Sequence, residues 1–220
     1  MSENILQLRR STVANDSLLE ALTASERSLM IEAAAGKMEE LFNILRVDHR
    51  NDHNTRDTPR RVAKMLVEET MAGRFNAPPK ITTFDNAKGF EGMIVTGPIE
   101  VRSTCAHHMM PIHGDAYIGI LPSAGGRIVG LSKYDRVVDH FARRLQIQEE
   151  LTEQIGHYLM DLTEPRGLAV RITATHMCKT HRGVKASHQS RMITFCHLGE
   201  FARDPLLRQD FSRECAQAAG

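Results

Sequence analysis

The stretch Ser103-Thr104-Cys105-Ala106-His107-His108 places one thiol and two imidazoles within four residues, directly after a strand-like run. A second patch, His176-Met177-Cys178 followed by Arg182-Gly183, can complete a site that neither segment builds alone. Zinc takes thiolate and imidazole ligands tetrahedrally, and a catalytic zinc keeps three protein ligands with water in the fourth place. Cys105 and His108 stand at Cys-x-x-His spacing, so both reach one ion from a turn, and Cys178 can supply the third ligand. Such a set suits lowering the pKa of bound water toward neutrality. His107 and His176 would then lie beside the metal, where a group titrating near neutral pH shuttles protons. Two plainer readings fit the same residues: a structural zinc with all four positions filled by protein, His176 included, or no metal at all.

A second cluster, Ser132-Lys133-Tyr134-Asp135-Arg136, falls at an expected helix N-terminus. Free backbone donors, the helix dipole and two cationic side chains there suit a phosphate group. Arg182 can add a bidentate phosphate contact. For each of these charges alone, a solvated face is the ordinary alternative. Glu149, next to Glu150, is similarly ambiguous: exposed on most helices, yet able as a buried carboxylate to accept two donors from a guanine edge.

The elements that must position these groups follow from periodicity. Residues 1–15 are polar and patternless and read as a flexible arm. From Asp16 or Ser17, apolar residues at spacings of three and four (Leu18, Leu22, Leu29, Ala33, Leu41, Leu45) predict one or two helices. Val47 to Asp57, with His49 and His53, reads as a solvated loop. Thr58-Pro59 signals a helix start, running to about Met71 and carrying Lys64, for which spacing suggests only a solvated lysine. Gly92 to Val101, Asp115 to Leu121 and Arg127 to Leu131 read as strands. Ser132 caps a helix from Lys133 to Leu145, and Gln148 to Leu162 is another. Leu168 to Thr175 is a strand that delivers His176 and Cys178; Arg191 to His197 is a further strand, and Asp204-Pro205 opens a short last helix. Lacking βαβ alternation, the order indicates an α+β fold, an antiparallel sheet with helices packed on one face, preceded by N-terminal helices. The expected division is an arm at 1–15, a helical region at 16–75 and a catalytic domain at 76–220.

Composition sets the outer limits. The 220 residues, 41% hydrophobic, suffice for one large domain or a core domain with a helical appendage. With 28 basic against 27 acidic residues, the net charge of +1 supplies no long-range field for nucleic acid or membrane. No apolar run reaches membrane-spanning length and no secretory signal is evident, so a cytoplasmic protein is expected. Four cysteines in so long a chain are better thiolate ligands or buried thiols than disulfide staples, and Cys196 and Cys215 read as structural. Neither a GxGxxG nor a GxxxxGK[ST] phosphate loop is present.

Taken together, Thr104-Cys105-Ala106-His107-His108, Gly130-Leu131-Ser132-Lys133, Gln146-Ile147-Gln148-Glu149-Glu150-Leu151-Thr152 and Thr175-His176-Met177-Cys178 through Arg182-Gly183 resemble the signatures of GTP cyclohydrolase I. Thr58-Pro59-Arg60-Arg61-Val62-Ala63-Lys64-Met65 is similar to an earlier helix motif of that family, and the likeness runs from about Met30 to Phe211. The resemblance implies a tunnelling fold whose sheets join between subunits into a barrel, normally a homodecamer with active sites at subunit interfaces. It implies conversion of GTP and water to 7,8-dihydroneopterin triphosphate and formate. Cys105, His108 and Cys178 would bind Zn2+, His107 would protonate the purine N7, and His176 would assist proton transfer. Gln148 and Glu149 would anchor the guanine; Leu131, Ser132 and Lys133 would meet the ribose and triphosphate, with Arg136, Arg182 and a neighbouring chain's Lys64 on the phosphates. Ala106 departs from the pattern, which usually carries glutamate there. That departure keeps two other expectations open: a related zinc enzyme with an altered purine nucleotide or one halted at a formamide intermediate, and an inert nucleotide-binding family member.

Overall fold

The computed structural model describes residues 12–218, which divide into two compact units between Ala77 and Pro78. Most of the expected arm lies outside the described residues. Its last four do not, and the Arg74 guanidinium donates to the carbonyls of Thr12, Val13, Ala14 and Asp16 at 2.6 to 3.3 Å.

In the first unit, α1 spans Ala24–Ile44. It starts later than the leucine spacing predicts because Thr23 and Glu26 form a capping box, in which the Thr23 hydroxyl and the Glu26 carboxylate satisfy each other's backbone donors. Leu22 is still buried, although it precedes the helix. The second helix, α2, covers Thr58–Met65, continues as a π-helical turn over Leu66–Thr70 and ends in α3, Ala72–Phe75. Its N-cap is Asp57, not Thr58, and Pro59 lies just inside, where its missing donor costs nothing. His49 corrects the expectation of a solvated loop: it is buried, with its ring edge-on to Phe42 at 5.6 Å. Ile31, Ala35, Ala63, Val67 and Phe75 form this unit's core.

The second unit is built on β2 (Ile94–Cys105), β3 (Pro111–Leu121), β6 (Gly167–His176) and β7 (Met192–Gly199), paired antiparallel in that order. A two-residue strand, β5 (Leu145–Gln146), adds to the outer edge of β2 in parallel, so the five-stranded sheet is mixed. Strands β1 (Thr83–Asp85) and β4 (Arg127–Val129) pair separately.

Side-chain alternation sorts the main sheet into two faces. Ile99, Val101, Ser103 and Cys105 of β2, Ala116, Ile118 and Ile120 of β3, and Leu168, Val170 and Ile172 of β6 are buried toward one side. They share a core with Val137, Val138 and Phe141 of α4 (Ser132–Ala142) and Leu151, Ile155 and Leu159 of α5 (Gln148–Thr163). The approach of α5 to β7 is close: a Cβ at Gly156 would stand 2.6 Å from the Cys196 Sγ.

Helices on one face was the expectation, and the opposite face corrects it. There Tyr117, Leu121 and Ala169 pack with Phe201 of α7 (Glu200–Arg203) and with Phe211 and Cys215 of α8 (Pro205–Ala218). The alternate residues at that end of β3 and β6 are apolar too, and they require a cover.

Candidate metal centre and nucleotide site

The sheet register explains how distant residues meet. Ser103, Ile112 and His176 form one rung across β2, β3 and β6, so β2 and β6 run out at the same end of the sheet. Cys105 is the last residue of β2, and Cys178 lies one turn past the end of β6, in the short α6 (Met177–Thr180). Ligand atoms of Cys105, His176 and Cys178 consequently lie within 4.8 Å of one another. The Cys105 end is pinned from several sides: its N–H donates to the Met110 carbonyl at 2.8 Å, the Ala106 N–H to the Gln146 carbonyl at 3.0 Å, and the Ser103 hydroxyl to the Ala142 carbonyl at 2.7 Å.

Burial pushes the Cys178 thiol up, and the neighbouring Cys105 thiol adds to the shift. Two adjacent thiols resist ionising together unless a cation lies between them, so the donor set fits a thiophilic metal. Burial likewise holds the His176 imidazole below its ordinary value; Lys179 and His107 reinforce this, and Glu149 opposes it. The ring is therefore neutral at pH 7, the form that ligates a metal or accepts a proton.

Of the expected ligands, Cys105 and Cys178 come together, but His108 does not join them. It is exposed in the turn after β2, and the Arg182 guanidinium lies 3.1 Å from its Nε2. A guanidinium only donates, so that nitrogen is the acceptor. His107 is exposed, with Nδ1 3.7 Å from the Cys105 Sγ. Ala106 is half-buried between them.

Gln148, expected beside the guanine, faces inward. Its side chain is wholly buried, with Nε2 directed to the carbonyls of Ile172 and Met192 and the hydroxyl of Thr194, while Oε1 meets the His176 Nε2 at 2.8 Å. No amide hydrogen remains for a ligand. Sequence reasoning missed this inward role, although the signal was present: Gln148 keeps helical spacing with Leu151, Thr152, Ile155 and Leu159, the buried face of α5.

Glu149 is exposed at the N-terminus of α5, beside an open groove of about 450 Å³ lined by Glu149, Glu150, Glu153, Gln154, Thr194 and Phe195. Ser132 and Arg136 are exposed in the first turns of α4, and Lys133 is half-buried there. Leu131, not Ser132, is the cap residue of that helix, and its side chain is 71% exposed. The backbone donors at this terminus thus lack a side-chain cap. Lys64 belongs to the first unit, exposed on α2 with Glu68 at 3.7 Å.

The sequence profile of GTP cyclohydrolase I matches residues 34–216. The chain belongs to the GTP cyclohydrolase I family. It is 40% identical over 193 residues to the GTP cyclohydrolase 1 of Shewanella denitrificans, covering 87% of this chain and 86% of that one. The enzyme of the same name from Shewanella oneidensis is 40% identical over 190 residues, covering 86% and 85%. Among solved structures, the apo archaeosine synthase QueF-Like aligns at a TM-score of 0.38 and 12% identity, over 49% of this chain and 92% of that chain. Within the GTP cyclohydrolase I family, the converging cysteines and histidines of this chain lie in the matched segment.

Proposed function

We propose that the protein is a zinc-dependent GTP cyclohydrolase, converting GTP and water to 7,8-dihydroneopterin triphosphate and formate. The observation that carries this reading is the convergence of Cys105, Cys178 and a neutral imidazole at one end of the sheet, in a chain of this family. Cys105 and Cys178 supply thiolates, and His108, on the same turn as Cys105, supplies the third ligand once it exchanges Arg182 for the metal. Zinc, when bound, acidifies water and acts as a Lewis acid.

The chain's own groups divide the remaining work. His107, exposed beside Cys105, hands a proton to the purine N7 as the imidazole ring of the substrate opens. His176, neutral and held at the thiol pair, accepts and returns protons during the same steps. Glu149 accepts from the guanine edge. The uncapped N-terminus of α4, with Leu131, Ser132, Lys133 and Arg136, receives the ribose and phosphates. Arg182, released from His108, joins them. Lys64 serves the phosphates of a neighbouring chain's site, in keeping with a proposed homodecamer of tunnelling-fold barrels with interface active sites. Among the described residues no helix is long and apolar enough to cross a membrane. The near-zero net charge gives no long-range field toward nucleic acid or an anionic membrane surface, and a cytoplasmic enzyme is part of the proposal.

A second reading is favoured by the geometry itself: His176 already stands within 4.8 Å of both thiols, and so competes with His108 as the ligand.

The activity is tested by incubating zinc-loaded protein with GTP and following the pterin chromophore and formate together. Both should form, and neither should form with Cys105→Ser. Zinc-replete wild-type protein that leaves GTP, dGTP and related purine triphosphates intact would overturn the proposal.

A further inference from the structure

We propose that Gln148 is a positioning residue that fixes which nitrogen of His176 carries the proton, and that backbone carbonyls of β6 and β7 dictate the choice. The inference rests on the reading of His176 as a proton-transfer group at the thiol pair. Gln148 Nε2 lies 3.2 Å from the Ile172 carbonyl, 3.1 Å from the Met192 carbonyl and 3.1 Å from the Thr194 hydroxyl. Carbonyl oxygens only accept, so the end of the amide facing them must be its NH2 group. The other end is therefore an oxygen, and it stands 2.8 Å from the His176 Nε2.

An amide oxygen likewise only accepts. His176 Nε2 must then be the protonated nitrogen, and in a neutral imidazole this leaves Nδ1 with the lone pair, as the atom free to bind a metal or take a proton. Turning the amide over would set its oxygen against two carbonyl oxygens in a place with no water to relieve them, since Gln148 is 0% exposed. The frame is braced further. Thr152 Oγ1 donates to the Gln148 carbonyl at 2.7 Å and stands 2.7 Å from the Thr194 hydroxyl, which in turn accepts from Gln148. Ile172 lies two same-face positions back from His176 along β6, and Met192 and Thr194 lie at the start of β7. The strand pair that delivers the imidazole also sets its tautomer.

The test is long-range proton–nitrogen NMR of the imidazoles in metal-free, full-length protein, at a pH where His176 is neutral. Wild type should show His176 protonated at Nε2. Gln148→Met, which removes the acceptor, should yield a mixture of tautomers. On GTP, Gln148→Met should lower kcat about 10- to 100-fold with a smaller change in KM, because the amide's hydrogen bonds run to His176 and the strand carbonyls. Protonation at Nδ1 in wild type, or an unshifted ratio in Gln148→Met, would overturn the assignment. Should that variant not fold, the wild-type spectrum decides alone. The spectrum needs no substrate, so a failure of GTP turnover counts against the proposed activity, while the tautomer stands or falls separately.

Discussion

Two imidazoles contend for one place at the thiol pair. His108 has the spacing, one short turn from Cys105, and His176 has the proximity. Only His176 is already engaged through Nε2 with a buried amide, whereas His108 is held by a solvent-facing guanidinium that exchanges readily. His108→Ala should thus lose stoichiometric zinc, measured by metal analysis after gel filtration, while His176→Ala keeps zinc and loses ring opening. The reverse pattern would make His176 the ligand. The thiols were legible in the sequence because cysteine beside histidine is a narrow chemical signal. The alternative uses of His108 and His176 were not, because spacing along a chain does not say which nitrogen faces which neighbour. Ala106 shows a similar limit: its half-buried methyl and its backbone bond to Gln146 explain how it is held, and nothing in the structure explains why it replaces the expected glutamate.

At the scale of elements, the contact between α5 and β7 sets how deep Gln148 sits. Gly156 makes that approach possible, since an added Cβ would lie 2.6 Å from the Cys196 Sγ. Gly156→Ala should cost about 1–3 kcal/mol by overpacking, less about 1 kcal/mol recovered from helix propensity. The net loss should show in urea unfolding, and adding Cys196→Ala should remove most of it. Additive effects of the two changes would rule the steric clash out. The thiol itself is pushed up to about 12, first by burial and then by Glu153, whose carboxylate accepts from it, so Cys196 stays protonated and unreactive. Strands β2, β6 and β7 and helix α5 were visible in the sequence to within a few residues, because alternating or three-four apolar spacing survives whatever they pack against. The start of α1 and the caps of α2 and α4 were displaced, as short polar side chains choose among several nearby donors. Strand β5 had no periodic signal at all, being two residues long.

Across the whole molecule, buried and half-buried imidazoles make stability acid-sensitive, and His140 is the most strongly shifted of them. Burial, and then the Arg144 guanidinium, holds His140 down to about 4, against an ordinary 6.5. The unfolded chain takes up the proton as pH falls through 6.5, and the folded one does not until about 4. Stability present above pH 6.5 is therefore lost across that window, by about 3 kcal/mol in all and about 2 kcal/mol by pH 5. Replacing His140 with Asn should flatten the difference between urea unfolding at pH 7 and pH 5 by that amount, whatever it does to stability at either pH. An unchanged difference would place the acid sensitivity elsewhere. The α+β class was within reach of the sequence, since helical spacing gives way to alternating runs along the chain. The covering of both sheet faces was not, because the apolar residues of α8 are too few to announce what they cover.

Strand β5 has a further meaning. Gln146 pairs with Cys105 and accepts from the Ala106 N–H, and Gln148, which holds His176, follows only two residues later. A thiol and an imidazole that arrive from different strands, β2 and β6, are thus gauged against each other by a single joint, Gln146-Ile147-Gln148. Added length should be tolerated in the exposed turn around Ala124 and Gly125. At the joint, one residue gained or lost would rotate Gln148 off the buried face of α5 and leave the two halves of the site out of step. The segment expected to be most intolerant of insertion or deletion is therefore this short joint between the two halves of the site.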